Sequence, residues 1–291
     1  MTREAFGQLI QNGPVILDGA TGSNLRAMGM PVGVSSEVWV MEHPEVIGKL
    51  QRDYKTAGSQ IIYAPTFQAN RICMKGHGKE DQIEEMNLKL VEIARKALGE
   101  DVLIGGDIST VGQPLAPLGY LSYEEVYTAY KEQIRVLCDA GVDLLVAETM
   151  MSEDETVACL DAALSVTDLP FMCSYSVESD GSLLYGGSVY DAAVTLEGMG
   201  ASAVGINCSC GPDQLVSVMA HLKELVSIPV IAKPNAGLPM IDEQGHAHYS
   251  MGPEEFASHM KALVDAGADL VGGCCGTTPE YIRRLKETLY D

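Results

Sequence analysis

Residues 268–279 read Ala268-Asp269-Leu270-Val271-Gly272-Gly273-Cys274-Cys275-Gly276-Thr277-Thr278-Pro279. A short apolar run passes into glycines, a cysteine pair and then a helix start. Thr278 stands as N-cap, Pro279 in the first turn, and Glu280 as the acid favoured at the positive end of a helix. Such a stretch joins a buried strand to the helix that follows it. The same order recurs upstream, where Ala203-Val204-Gly205-Ile206-Asn207-Cys208 leads to a helix start at Gly211-Pro212-Asp213.

Working outward, eight such runs punctuate the chain: 15–20, 60–67, 102–109, 143–150, 171–177, 203–209, 229–235 and 269–276. Apolar runs without polar alternation suit parallel strands covered on both faces. Helical patterns at 122–140, 153–165, 212–226 and 253–266 lie between them, and turn signals such as Ala57-Gly58 and Ala266-Gly267 precede the next strand. Eight βα units predict a (β/α)8 TIM barrel, one domain over residues 1–291. The competing open, doubly wound sheet normally carries a G-x-G-x-x-G fingerprint, which is absent. Residues 236–252 form the longest irregular connection, with Glu243-Gln244-Gly245 as the turn of an expected hairpin.

A length of 291 residues suits one large barrel, and 46% hydrophobic against 20% charged residues suits a substantial core. The net charge of −21 argues against nucleic acid and anionic membrane surfaces as partners. The N-terminus lacks the basic and apolar pattern of a signal peptide, and no uncharged run can span a bilayer. A cytoplasmic location is therefore expected. In that reducing compartment eight cysteines point to metal binding or catalysis more than to disulfides.

Barrel enzymes build their sites where strands end, and here those positions are polar. They carry Asp18-Gly19-Ala20-Thr21-Gly22, Thr66-Phe67-Gln68-Ala69-Asn70, Asp107, Glu148-Thr149, Asn207-Cys208, Lys233-Pro234-Asn235 and Cys274-Cys275. Buried acids need a cationic or hydrogen-bonding partner. Asp18, Asp107 and Glu148 together suggest the ammonium of a ligand; the alternative is that each accepts from a loop amide or meets a lysine. The glycine turn at 19–22 offers amides for a carboxylate. The two features match the two ends of an α-amino acid.

Cys208, Cys274 and Cys275 form a candidate zinc site of three thiolates with a fourth position open to a substrate sulfur. Adjacent residues of a regular strand face opposite ways, so Cys274 and Cys275 converge only where the strand stops or bulges. Inert buried cysteines are the alternative. Cys73, Cys138, Cys159 and Cys173 read as packing residues, Cys210 stays open as a possible chelating partner of Cys208, and His246 and His248 read as loop residues.

With these residues identified, the chain resembles the homocysteine S-methyltransferase family over essentially its full length. The resemblance rests on Asp18–Gly22, Thr66–Arg71, Gly106-Asp107-Ile108, Glu148-Thr149, Gly205–Cys208, Pro234-Asn235-Ala236-Gly237 and, most specifically, Gly272–Pro279. It implies a TIM barrel in which Cys208, Cys274 and Cys275 bind Zn2+ and homocysteine supplies the fourth ligand. It further implies that Glu148 and Asp18 receive the amine and the amides around Ala20 and Thr21 the carboxylate, with Asp107, Asn207 and Asn235 as further substrate-side residues. The nearest likeness is to the homocysteine module of cobalamin-dependent methionine synthase. That implies a methyl donor such as methylcobalamin on a separate corrinoid protein, with S-methylmethionine or another small donor as the alternative. Ser109-Thr110-Val111-Gly112 departs from the family's Gly-Pro-Thr-Gly-like turn, and Pro65 and Gln68 flank Thr66-Phe67 unusually. Thr149 stands where the betaine-using branch has an aromatic cage residue. A different acceptor thiol, a corrinoid protein as acceptor, and a non-catalytic zinc-holding barrel complete the alternatives.

Overall fold

The computed structural model describes residues 1–241 and 247–290. Eight strands run parallel: β1 (Val15–Ile16), β2 (Ile61–Tyr63), β3 (Leu103–Ser109), β4 (Leu144–Met150), β5 (Phe171–Tyr175), β6 (Ala203–Cys208), β7 (Val230–Pro234) and, after the hairpin strands β8 (Pro239–Ile241) and β9 (Ala247–Tyr249), β10 (Leu270–Val271). Their order is β1-β10-β7-β6-β5-β4-β3-β2, so each barrel strand neighbours the next and the last lies beside the first. Helices intervene all the way round. This is the (β/α)8 barrel expected from the eight runs.

The seam between β1 and β2 is closed by few bonds. Gln60 N donates to Ile16 O at 2.7 Å, and Ile16 N donates to the Gln60 side chain at 3.0 Å. The Ser59 hydroxyl meets Leu17 O at 3.0 Å. The next link is a side chain: Asp18 Oδ2 accepts from Tyr63 N at 2.8 Å. A carboxylate thus takes the place of a ladder carbonyl at the end of the seam.

Alternation along each strand divides the core in two. Val15, Leu17, Ile61, Tyr63, Leu144, Val146, Met172, Ala203, Ile231 and Leu270 pack together inside the barrel. Ile16, Ile62, Ile104, Leu145, Cys173, Val204 and Val230 belong to the second cluster, shared with the helices. The helix Arg3–Ile10, capped by the Thr2 hydroxyl accepting from Ala5 N, adds Phe6 to the inner cluster and covers the end where the strands begin.

β1, β2 and β10 are shorter than the apolar runs suggest. Residues 17–20, 64–67 and 272–276 lie beyond the strand bounds, although Leu17 N still bonds Val271 O, Ala64 N bonds Gly105 O and Gly272 N bonds Ala232 O; at Gly272 the packing is close, since a Cβ there would lie 2.5 Å from Asp18 O. The expected helix over 212–226 is broken into a 3-10 turn at Pro212–Gln214 and a helix at Val216–Leu225. β8 and β9 pair antiparallel as the expected hairpin; its Glu243-Gln244-Gly245 turn and His246 lie outside the described residues. Among the described residues no helix is long and apolar enough to cross a membrane.

Candidate active site

Backbone conformation brings the sulfurs together. Cys208 ends β6 with φ 55° and Ser209 follows with φ 66°, left-handed conformations that cost of order 1–3 kcal/mol each unless the surroundings hold them. Ser209 Oγ holds this turn by accepting from Val177 N at 2.8 Å and donating to Asn207 O at 3.0 Å. Beyond β10 the chain is tied down residue by residue. Gly273 N bonds Asp18 O, Cys274 N bonds Pro234 O at 2.8 Å, and Ala236 N bonds Cys275 O at 3.0 Å. Gly276, at φ 83°, turns the chain toward the last helix, and Thr277 Oγ1 donates to Cys274 O at 2.8 Å.

As a result the three sulfurs lie within 4.8 Å of one another. Thiolates bound tetrahedrally at about 2.3 Å stand about 3.8 Å apart, so small side-chain rotations would suffice to enclose an ion. Cys275 is lowered to about 3, first by hydrogen bonds from Cys208 and Cys274 and then, against burial, by one from Tyr249 in β9. Cys208 is pushed far up by its hydrogen bonds to Cys274 and Cys275. Cys210 is outside the cluster: it is buried, burial pushes its thiol to about 11, and its carbonyl accepts from Asn235 N. Cys159 and Cys173 are buried, and Cys73 and Cys138 pack against the core.

Side-chain charge organises the other half of the mouth. Lys233, at the end of β7, is 2% exposed. Its Nζ lies 2.8 Å from Asp18 Oδ1 and 3.0 Å from Glu148 Oε1, and 3.8 Å above the Tyr63 ring centre. Burial pulls its pKa down, but the charges of Asp18 and Glu148 outweigh that and hold it protonated. Burial, partly offset by Lys233, raises Glu148 to about 7. Asp107 lies in the same polar layer, is raised well above the carboxylate range by burial and then by Glu148, and its Oδ1 has no partner.

A cavity of about 530 Å³ joins the two halves, lined by Cys208, Cys274, Cys275, Asp18, Asp107 and Glu148 together with Ala20 and Thr21. Two expected substrate residues are not on its wall, and one is only partly available. Asn207 is fully buried and locks Thr149, which has φ 59°: Thr149 N donates to its Oδ1 at 2.9 Å and its Nδ2 donates to Thr149 Oγ1 at 2.7 Å. Asn235 donates to Ser209 O at 3.2 Å and so braces the Cys208 turn. The Ala20 amide already donates to Thr277 Oγ1 at 3.1 Å, which leaves Thr21, Gly22 and Ser23 as the part of the turn facing the cavity.

Sequence reasoning placed Lys233 at a strand end without pairing it to particular acids, and passed over Glu37. Glu37 lines the cavity and accepts from Ser35 Oγ, Ser36 Oγ and Gln68 N. For Lys233 the signal was available in residue parity. Ile231 faces the barrel interior, so Lys233 does too, with the same inward parity as Asp107 two beyond Gly105 and Glu148 two beyond Val146.

The sequence model of the homocysteine S-methyltransferase family matches residues 15–289. The chain belongs to that family. Methionine synthase of Mycobacterium tuberculosis is 30% identical over an alignment of 286 residues that covers 92% of this chain and 24% of that protein. Methionine synthase of Mycobacterium leprae is 29% identical with the same coverage. The chain thus spans about a quarter of the length of these relatives. Among solved structures, the metallated form of the homocysteine methyltransferase MmuM from Escherichia coli superposes with a TM-score of 0.80 at 27% identity, covering 97% of this chain and 98% of that one. The carboxyl transferase domain of Rhizobium etli pyruvate carboxylase, at 15% identity and TM-score 0.55, shares the fold alone.

Proposed function

We propose that this chain is a zinc-dependent homocysteine S-methyltransferase that forms methionine, with the methyl group supplied by a methylcorrinoid on a separate protein. One observation carries the reading: three clustered cysteine sulfurs and a set of buried acids open onto the same cavity. The donor set suits zinc, and Cys208, Cys274 and Cys275 would hold it. When bound, zinc makes a thiol acidic enough to lose its proton near neutral pH while leaving it nucleophilic.

The chain's own residues then position the acceptor. The acid cluster receives the ammonium, and the amides of Thr21 to Ser23 face its carboxylate. The methyl passes to the homocysteine sulfur as an S–C bond forms and the bond from carbon to the donor breaks. The bonding electrons depart with the donor, which needs no proton when it leaves as Co(I) or a neutral thioether. That agrees with a cavity holding thiols and amino-acid anchors but no general acid assigned to a leaving group.

A protein-borne donor is supported by the methionine synthase relatives and by the rim of the mouth. Val32, Leu118, Tyr120, Leu184, Leu238 and Met240 are exposed apolar residues, and all lie in connections that follow barrel strands. Apolar surface gathered around a site suits a docking partner. A second reading is transfer from a small sulfonium such as S-methylmethionine, which would likewise leave as a neutral thioether and fit the same cavity. The test is methionine formation from homocysteine with a methylcorrinoid protein, methylcobalamin, S-methylmethionine, S-adenosylmethionine and betaine in parallel. Turnover with a sulfonium alone would overturn the corrinoid donor, and no turnover with any donor would overturn the methyltransferase reading.

A further inference from the structure

We infer that Glu37 is a positioning residue for the methyl donor: it fastens the connection after β1 to the connection after β2 and so shapes the part of the cavity beyond the acceptor. This role rests on the proposed methyl transfer and lies away from its sulfurs and its acid layer. A cavity of about 530 Å³ is of a size that holds a drug-sized ligand, and a small amino acid fills only part of it. The acceptor's thiol, amine and carboxylate are matched by the sulfurs, the acids and the turn at Thr21 to Ser23. The rest of the wall includes Arg26, Met30, Val34, Glu37, Phe67 and Gln68. All six lie in the two connections that flank the seam between β1 and β2.

Few ladder bonds cross that seam, so the wall above it needs other ties. Glu37, in the first turn of the helix Ser36–Glu42, is fully buried. Its Oε2 accepts from Ser35 Oγ at 2.7 Å and Ser36 Oγ at 3.1 Å, and its Oε1 accepts from Gln68 N at 2.9 Å. The β2 connection is tied to the body of the barrel on either side of that bond. The Thr66 hydroxyl donates to Asp107 O at 2.7 Å, and Ala69 O accepts from Asn87 Nδ2 at 2.8 Å. Gln68 N, between these ties, is met from the β1 side by Glu37. Buried acceptors and donors are costly to leave unmet, so the carboxyl and the Gln68 amide hold each other in place. Phe67 and Gln68 are thereby set against the segment 33–36 across the cavity.

The test is steady-state methyl transfer to homocysteine with methylcobalamin and with S-methylmethionine, beside calorimetry of homocysteine on zinc-loaded protein. Glu37→Ala is expected to raise the donor KM about tenfold, with kcat and homocysteine affinity within about threefold of wild type, the pattern of lost donor binding. Glu37→Gln can keep its oxygen on Gln68 N and turn its NH2 to the serine hydroxyls, so it should restore the donor KM to within about threefold. Ser36→Ala, a milder change that leaves the Gln68 bond in place, should raise the donor KM about twofold, and serves if Glu37→Ala does not fold. An unchanged donor KM in both alanine variants would overturn the inference. So would an equal loss of homocysteine affinity, which a merely structural role predicts. A Glu37→Gln protein as impaired as Glu37→Ala would overturn it too, because charge and not the clamp would then be acting. Hydrogen exchange of the ligand-free protein needs no turnover: residues 65–70 should exchange faster in Glu37→Ala and not in Glu37→Gln. Unaltered exchange there in Glu37→Ala would defeat the clamp. Wild-type protein inactive with both donors would instead defeat the proposed reaction, and the donor role with it, so the two failures are told apart.

Discussion

The two halves of the barrel mouth are built on different principles. In the sulfur half, from β6 to β10, main-chain geometry fixes position: consecutive left-handed residues at Cys208 and Ser209, a glycine turn at Gly276, and backbone bonds linking Cys274 and Cys275 to the segment after β7. In the carboxylate half Thr149 is left-handed too, at φ 59°, but the acids on β4 and beside β1 are held by one shared lysine. The sulfur half should therefore depend on which atoms are present, the carboxylate half on net charge.

The largest effect should come from deleting a sulfur. Cys275→Ala, Cys274→Ala or Cys208→Ala is expected to remove bound zinc and abolish methyl transfer while the barrel stays folded. Metal analysis beside circular dichroism checks this, and full zinc occupancy in Cys275→Ala would break the three-thiolate account.

Next comes the charge of the other half. Lys233→Ala leaves Asp18 and Glu148 buried without their cation, and removing one partner of a buried pair typically costs about 3–5 kcal/mol. Urea unfolding should reveal that loss. A change below about 1 kcal/mol would mean that the lysine pairs the acids only weakly.

Glu148→Gln should weaken homocysteine binding by about 1–3 kcal/mol, read by calorimetry. The same variant sharpens the electrostatic comparison. Glu148 titrates near 7 when folded against an ordinary 4.5, so the folded state binds its proton more tightly. That contribution to stability is complete below about pH 4.5 and is lost as pH rises through about 7. Metal-free wild type should lose stability over that window relative to Glu148→Gln.

The smallest effect should be that of Cys210→Ala. Cys210 is outside the sulfur cluster, so zinc content should remain unchanged. Loss of zinc in this variant would redraw the ligand set.

The barrel was legible because every one of its strands is an apolar run between helices, and such runs need no knowledge of long-range contacts. Their ends were less so. Leu17 to Ala20 and Gly272 to Gly276 read as continuations of strands, since nothing local announces that Gly272 must lie against Asp18 O. The three cysteines stood out because each precedes a helix start in a glycine-rich turn. Asn207 and Asn235 looked like substrate residues by position, yet they brace the turns that carry Thr149 and Cys208. Their roles depend on neighbours 58 and 26 residues away. Lys233 lies 215 residues from Asp18, and only closure of the barrel brings the two together.

The strand order also dictates when the site can exist during synthesis. β1 has its ladder partner in β10, near the other end of the described chain, and β10 must slot between β1 and β7. A nascent chain that has emerged as far as Cys208 holds one of the three sulfurs, with Asp18 not yet braced from the β10 side. On the proposed ligand set, metal capture would therefore wait for the final docking event, after Cys274 and Cys275 have left the ribosome.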